Sequence, residues 1–348
     1  MRESTMSHHI FRRLLPRPVA VDLGTANTLI YMHGKGIVLN QPSVVCFQKT
    51  PSPGAGRVAA VGEEARQLLG RSPTNLEAVR PMRHGVIADF AAAEQMFREF
   101  VEMARLRSLF GLRAEFTICV PCSATQVERR AIREAALAAG AAKVSLIDES
   151  LAAAVGAGLP VGEARGSMVV DMGGGTTEVA VVSLGGVAYQ GFVRVGGDQF
   201  DAAIVSYVRS LYGVVLGDQT AEHVKKTIGS ATLDVPTERA RAIGRSLVDG
   251  LPRTIELSNH DVAEALAAPL RTVVAAIKLA LENAPPELVT DIADSGMVLT
   301  GGGALLANLD KRLAEETGLA VRVAHEPLTC AVRGASAAAS CVDAAAFG

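Results

Sequence analysis

The chain has 348 residues and a mass of 36.2 kDa, about twice a typical single-domain length, so two lobes are expected rather than one small core. Apolar residues make up 49% and charged residues 20%, which excludes intrinsic disorder. With 34 basic against 36 acidic side chains the net charge is −2, so no nucleic-acid partner is expected.

In chain order, the first segment is a basic tail over residues 1–18, with Arg2, Arg12, Arg13 and Arg17 against Glu3. A helix there would line Ile10, Phe11, Leu14 and Leu15 on one side and Arg12 and Arg13 on the other, which suits an interfacial membrane anchor. A frayed tail ended by Pro16 and Pro18 is the alternative. Val19 to Asp22 then reads as an apolar strand, Gly24-Thr25-Ala26-Asn27-Thr28 as a turn, and Leu29 to Met32 as a second strand, together a β-hairpin. Residues 50–57 read as an exposed loop.

Phe116 to Val120 is a buried strand that leads to Thr125-Gln126-Val127-Glu128, a capping box opening a helix closed by Gly140. Lys143 to Ile147 is the next strand, and a helix begins at Leu151. From Ser167 the chain repeats the form of the first hairpin: apolar strand, Asp171, the turn Gly173-Gly174-Gly175-Thr176, and a second apolar strand. This pseudo-repeat predicts two similar lobes that each offer one hairpin to a shared cleft. A third glycine turn, Gly301-Gly302-Gly303-Ala304, follows the strand Met297 to Thr300 and opens a helix from about Leu305 to Glu316. Strands rich in β-branched residues thus alternate with Ala-rich helices, the α/β pattern.

Phosphates need dense backbone N–H donors, and glycine allows close approach of the backbone. An aspartate ending each preceding strand can hold a hydrated Mg²⁺, which prefers one or two carboxylates and keeps several waters. The candidates are therefore Asp22 and Asp171 on the metal side, with Gly24 to Asn27 and Gly174 to Thr176 as phosphate cradles. Tight hairpin turns with capping aspartates are the alternative. Neither G-x-x-x-x-G-K-[ST] nor a strand-linked G-x-G-x-x-G is present, so a P-loop or Rossmann site is disfavoured.

The three turns resemble the actin, Hsp70 and sugar-kinase superfamily, and within it the bacterial actins of the MreB cell-shape family. The resemblance spans about residues 19–340 and is carried by five segments: Val21 to Tyr31, Arg80 to Asp89, Ala124 to Ile132, Asp171 to Val179 and Met297 to Leu306. It implies an actin-like two-lobed α/β fold whose first lobe takes residues 19–158 and 326–346, with a small subdomain at about 46–80. The second lobe would take 159–325, with an outer subdomain at about 196–258.

The resemblance also implies ATP with Mg²⁺ in the cleft and slow hydrolysis coupled to filament assembly. Glu149 would orient the attacking water and Thr176 would sit beside the γ-phosphate, with Asp171 completing the catalytic set. Gly24, Thr25, Ala26, Asn27, Gly173, Gly174 and Gly175 would cradle phosphates. Glu222 and Lys225 would meet the ribose and adenine, and Gly301, Gly302, Gly303, Ala304 and Leu305 the adenosine. Where the family usually shows Ile-Glu-Glu-Pro, this chain reads Ile147-Asp148-Glu149-Ser150, which shortens one side chain and frees a backbone that proline would fix. Glu149 would also suit a helix N-terminus, and Glu222 with Lys225 would suit a surface ion pair.

Leu109 and Phe110 match the family's membrane-insertion loop, with a core-packed helix end as the alternative. The implied partners are further copies of the chain in antiparallel double protofilaments, the inner-membrane lipid surface, and elongation-machinery membrane proteins such as RodZ. The implied location is cytoplasmic, on the inner face of the membrane, where the filaments would direct cell-wall synthesis and keep the rod shape. An Hsp70-like ATPase and a sugar or small-molecule kinase are the competing readings.

Five cysteines in a chain without a cleavable signal pattern favour free thiols. Cys119-Val120-Pro121-Cys122 admits a redox dithiol or, more simply, a small apolar pair. The longest apolar helical stretch, Leu266 to Leu281, is broken by Arg271 and Lys278, so no bilayer span is expected.

Overall fold

Val19, Ala20 and Val21 are at most 1% exposed, as an apolar run buried on both faces must be. They begin the strand Val19–Leu23 at the centre of a five-stranded sheet. In this computed structural model, residues 18–49, 56–106 and 114–345 are described, the side chains of 341–345 excepted. Val19–Leu23 pairs antiparallel with Asn27–Met32, which pairs antiparallel with Gly36–Pro42. On its other side it runs parallel to Glu115–Val120, and that strand to Lys143–Asp148.

The second sheet follows the same plan. Ser167–Met172 is central, antiparallel to Thr177–Ser183 and through it to Gly186–Val193. Its other neighbour is the parallel strand Met297–Thr300, followed by Val321–Val323. The internal repeat seen in the hairpins therefore extends to whole sheets, and the turn after Met297–Thr300 is the second-lobe counterpart of the turn after Glu115–Val120.

Helices cover each sheet with the apolar stripe their sequences carry. In the first lobe Met96, Phe97 and Phe100 of the helix Phe90–Met103 pack with Phe116, and the Phe97 and Phe116 rings meet edge to face at 6.0 Å. The helix Gln126–Ala138 starts with the expected capping box: Thr125 Oγ1 accepts from the Glu128 N–H, and Glu128 Oε2 from the Thr125 N–H. In the second lobe Phe200 and Ile204 of Gly197–Tyr212 and Leu266, Leu270 and Ile277 of Asn259–Asn283 pack against Met168, Val170, Val179 and Val181.

Between the two sheets lies a third core of small side chains, including Ala20, Ala152, Ala153, Ala154, Val169, Ala180, Ala331 and Ala335. It is formed where the helices Glu149–Gly156 and Cys330–Ala345 cross. Their backbones touch at Gly334 and Gly156: a Cβ on Gly334 would overlap the Ala152 carbonyl oxygen, and one on Gly156 that of Cys330. Two smaller three-stranded sheets flank the lobes, Val45–Gln48 with Val58–Val61 and Leu76–Val79 on the first, and Val214–Val215 with Arg239–Ser246 and Pro252–Ser258 on the second.

The third glycine turn departs from expectation. Gly302–Leu305 forms a single 3-10 turn, and the α-helix begins only at Leu309 and runs to Thr317. Leu306 is extended and Asn308 adopts a left-handed backbone with φ 59°, so the chain leaves the turn before it can propagate as α-helix. Among the described residues no helix is long and apolar enough to cross a membrane. Ile10, Phe11, Leu14, Leu15, Leu109 and Phe110 lie outside the described residues.

Candidate functional site

A cavity of about 720 Å³ opens between the sheets, large enough for a mid-sized organic ligand. The first hairpin supplies Asp22, Gly24, Thr25, Ala26 and Asn27 to its lining, and the second supplies Asp171, Gly173, Gly174 and Thr176. Gly301, Gly302, Gly303 and Leu305 line it from the third turn, Glu222 and Lys225 from the helix Asp218–Ile228, and Glu149 from the first lobe. Gly175 and Ala304 are not in the lining. A Cβ on Gly175 would stand 2.9 Å from Thr25 Oγ1, so it faces the first lobe, and Ala304 is only 3% exposed.

The two turns meet face to face. A Cβ on Gly174 would come within 2.7 Å of the Ala26 Cβ, so only glycine permits this approach of the hairpins. The turn around Gly24 is held by Ser43, whose hydroxyl donates to the Gly24 carbonyl at 2.7 Å and is 2.9 Å from Thr28 Oγ1. The Gly85 N–H donates to Thr25 Oγ1 at 3.0 Å. The N-terminus of the helix Gly197–Tyr212 sits behind the second turn, where the Gly197 and Asp198 N–H groups donate to the Gly173 and Gly174 carbonyls at 3.1 and 2.8 Å.

The carboxylates define the electrostatics. Burial and the neighbouring Asp171 push the Asp22 carboxyl up to about 7. Burial raises Asp171 to about 6, partly offset by the Thr300 hydroxyl that donates to its Oδ1 at 2.9 Å. Burial, then Asp22, Glu178 and Asp171, hold Glu149 well above the usual carboxylate range. Glu178 is raised to about 7 by burial, against the Cys122 N–H that donates to its Oε1 at 2.8 Å. Among the described residues none of the four forms an ion pair with a basic side chain, whereas other cleft acids do, such as Asp198 with Arg80 at 3.2 Å.

Among the described residues no basic side chain is paired with this carboxylate set, which fits a bound cation. Among the described residues no three His, Cys, Asp or Glu side chains are grouped to ligate one ion directly, so a cation held here would be held largely through water, as Mg²⁺ commonly is.

The altered Asp148-Glu149-Ser150 stretch is well anchored. Asp148 Oδ1 accepts from Arg129 Nη2 at 3.0 Å. Ser150, fully buried, accepts from Gln190 Nε2 of the second sheet at 2.7 Å, so the position that lacks proline is tied down by a side chain instead. Glu149 is the first residue of its helix. Glu222 and Lys225 do not pair with each other. Lys225 Nζ pairs with Asp201 at 2.8 Å and donates to the Gly197 carbonyl at 2.8 Å, while Glu222 takes Arg66 at 2.7 Å and Lys226 at 2.6 Å.

Sequence reasoning assigned no role to Glu178, Arg66 or Arg80. A glutamate in the otherwise apolar strand Thr177–Ser183 was the available signal for Glu178; nothing local marked Arg66, and Arg80 opened a segment of the family resemblance without a role, their partners being 156 and 118 residues away. Cys119 and Cys122 are free thiols; burial drives both well up from the usual thiol range, which opposes thiolate chemistry.

Two sheets of one topology, joined through crossed helices and facing a cleft lined by paired glycine hairpins, define the actin-like α/β ATPase fold. The family model described as MreB/Mbl protein matches residues 16–346, and the chain belongs to that family of actin-like, cell shape-determining cytoskeletal proteins. It is 54% identical over 336 residues to the cell shape-determining protein MreB of Escherichia coli K12, covering 96% of each chain. It is 44% identical over 321 residues to the cell shape-determining protein Mbl of Bacillus subtilis 168, covering 92% of this chain and 95% of the relative. Among solved structures, MreB5 of Spiroplasma citri bound to AMPPNP superposes with a TM-score of 0.89 at 31% identity, over 95% of this chain and 98% of the other.

Proposed function

We propose that the cleft binds Mg-ATP and hydrolyses it slowly, and that the nucleotide controls head-to-tail assembly into antiparallel paired filaments on the inner face of the cell membrane. The observation that carries this reading is the convergence of three glycine turns and two strand-end aspartates on one cavity. The crystallised relative bound to AMPPNP supports it.

In this reading the backbone of Gly24 to Asn27 and Gly173 to Thr176 receives the phosphates, with Gly175 supporting the hairpin contact from behind. Asp22 and Asp171 hold the hydrated Mg²⁺, whose charge neutralises the phosphates and relieves the crowded carboxylates. Glu222, Lys225, Gly301 to Gly303 and Leu305 receive the nucleoside, with Ala304 packed beneath. Glu149 orients the water that attacks the γ-phosphorus and Thr176 positions the phosphoryl group, since phosphoryl transfer asks mainly for placement and charge stabilisation. Ile10, Phe11, Leu14 and Leu15, together with Leu109 and Phe110, supply membrane contacts that repetition along a filament makes strong. The filament then guides wall synthesis through membrane proteins of the elongation machinery such as RodZ.

Sedimentation with and without Mg-ATP tests the reading. ATP-dependent pelleting is expected; soluble turnover stimulated by a peptide or by a sugar would instead point to a chaperone or a kinase.

A further inference from the structure

Glu149 stands in a helix turn that its own cap does not fix. Asp148, the residue before the helix Glu149–Gly156, makes no side-chain bond to the first turn; its Oδ1 accepts from Arg129 Nη2 at 3.0 Å instead. The first N–H groups of a helix have no partner within it, so a turn without a side-chain cap depends on other contacts for its placement. Ser150 supplies one. It is 0% exposed, and its Oγ accepts from Gln190 Nε2 at 2.7 Å. Glu149 is thus flanked by two side-chain anchors, one to the helix Gln126–Ala138 of the first lobe and one to the strand Gly186–Val193 of the second.

The second anchor reaches the sheet that carries a phosphate turn. Gln190 lies opposite Ala180 of Thr177–Ser183, the strand that leaves the second glycine turn directly after Thr176. Glu149 lines the cavity from one side, and Gly173, Gly174 and Thr176 line it from the other. The helix behind Glu149 packs between the sheets through Ala152, Ala153 and Ala154, and such apolar contact is non-directional. A short hydrogen bond fixes direction as well as distance. Both of its partners here are uncharged, so the tie adds no charge beside the crowded Asp22, Asp171 and Glu149 carboxyls.

We propose that Gln190 is a positioning residue for hydrolysis, acting through the Ser150 hydroxyl to hold Glu149 in register with the second phosphate turn. This rests on the ATPase reading above and adds a cross-lobe restraint to it. The reaction itself is unchanged, and Gln190 touches neither water nor nucleotide. The water oxygen bonds to the γ-phosphorus, the bond to the β–γ bridging oxygen breaks with its electron pair left on ADP, and one proton of the water passes by way of Glu149 to the phosphate released. Proline at position 150 would restrain the backbone itself, since its ring sets φ and the first turn of a helix tolerates it. Serine leaves the backbone free, and the tie to Gln190 then carries the restraint.

The test compares Gln190→Leu, Ser150→Ala, Ser150→Pro and the doubles Ser150→Ala/Gln190→Leu and Ser150→Pro/Gln190→Leu with the intact protein. Gln190→Leu removes the donor at similar size, and Ser150→Ala removes the acceptor. Single-turnover phosphate release is measured beside affinity for a fluorescent ATP analogue and melting temperature. Loss of one directional bond next to Glu149 predicts release about three- to tenfold slower in Gln190→Leu and in Ser150→Ala, with affinity within about twofold of the intact value. Ser150→Ala/Gln190→Leu is expected to be no slower than either single variant, because both remove one bond. Ser150→Pro/Gln190→Leu is expected to match Ser150→Pro, because Gln190 then has nothing left to hold. Release at the intact rate in both Gln190→Leu and Ser150→Ala would overturn the proposal. So would a slowing by Gln190→Leu that persists in full in the Ser150→Pro background, or one matched by an equal loss of nucleotide affinity. Nucleotide binding without any turnover in the intact protein would overturn this inference while sparing nucleotide control of assembly; no nucleotide binding at all would overturn both.

Discussion

Asp22, Asp171, Glu149 and Glu178 all have carboxyls raised above their ordinary values, Asp22 and Glu178 to about 7 and Asp171 to about 6. A carboxyl whose folded value exceeds its unfolded one binds more protons in the native state between the two values, so stability falls as pH rises through that window. The ligand-free protein is therefore expected to melt at a higher temperature at pH 6 than at pH 8. Mg-nucleotide should reverse the order, because cation binding requires the ionised groups. Thermal melting across pH with and without Mg-nucleotide checks this, and a ligand-free protein more stable at pH 8 would contradict it. At this scale Asp22, Asp171 and the glycines were legible because hairpin punctuation is local. Glu178 was not, because a lone acid in an apolar strand says nothing of what stands across the cleft.

The helices Glu149–Gly156 and Cys330–Ala345 cross between the two sheets, and their close approach depends on two glycines. In an ordinary helix interior, Gly→Ala is stabilising by up to about 1 kcal/mol. At Gly334 the added methyl would overlap the Ala152 carbonyl, so the sign should reverse, with Gly334→Ala losing about 1–3 kcal/mol in urea unfolding. A gain in stability would show that the helices separate at little cost. The capping box at Thr125 was readable at element scale, since its four residues are contiguous. The α-helix expected from Leu305 was not, because Leu306 and Asn308 take backbone conformations set by their surroundings rather than by propensity.

Across the whole molecule, polar bridges hold the lobes together at the rim of the cleft. Arg66 meets Glu222 at 2.7 Å, Arg80 meets Asp198 at 3.2 Å, Gln219 Nε2 donates to the Arg66 carbonyl at 2.9 Å, and His84 Nδ1 lies 3.1 Å from Gln199 Nε2. The arginine pairs are partly solvated, so each contributes little to global stability. Arg66→Ala is expected to speed release of a fluorescent ADP by up to about fivefold in stopped flow while leaving the melting temperature nearly unchanged. Release at the intact rate would show that the Arg66–Glu222 contact does not restrain the lobes.

By itself the sequence determined the class of fold, the internal duplication and the local chemistry of the three turns, because strand patterning, glycine bends and strand-end aspartates are written within a few consecutive residues. Only the tertiary structure decided that Arg66 reaches Glu222 and that Lys225 turns to Asp201. It also decided that Ser150 is buried and bonded to Gln190, and that Glu178 stands buried with one oxygen free. Those contacts join segments far apart in the chain, and what selects them is the closure of two lobes, a property of the folded whole rather than of any neighbourhood along it.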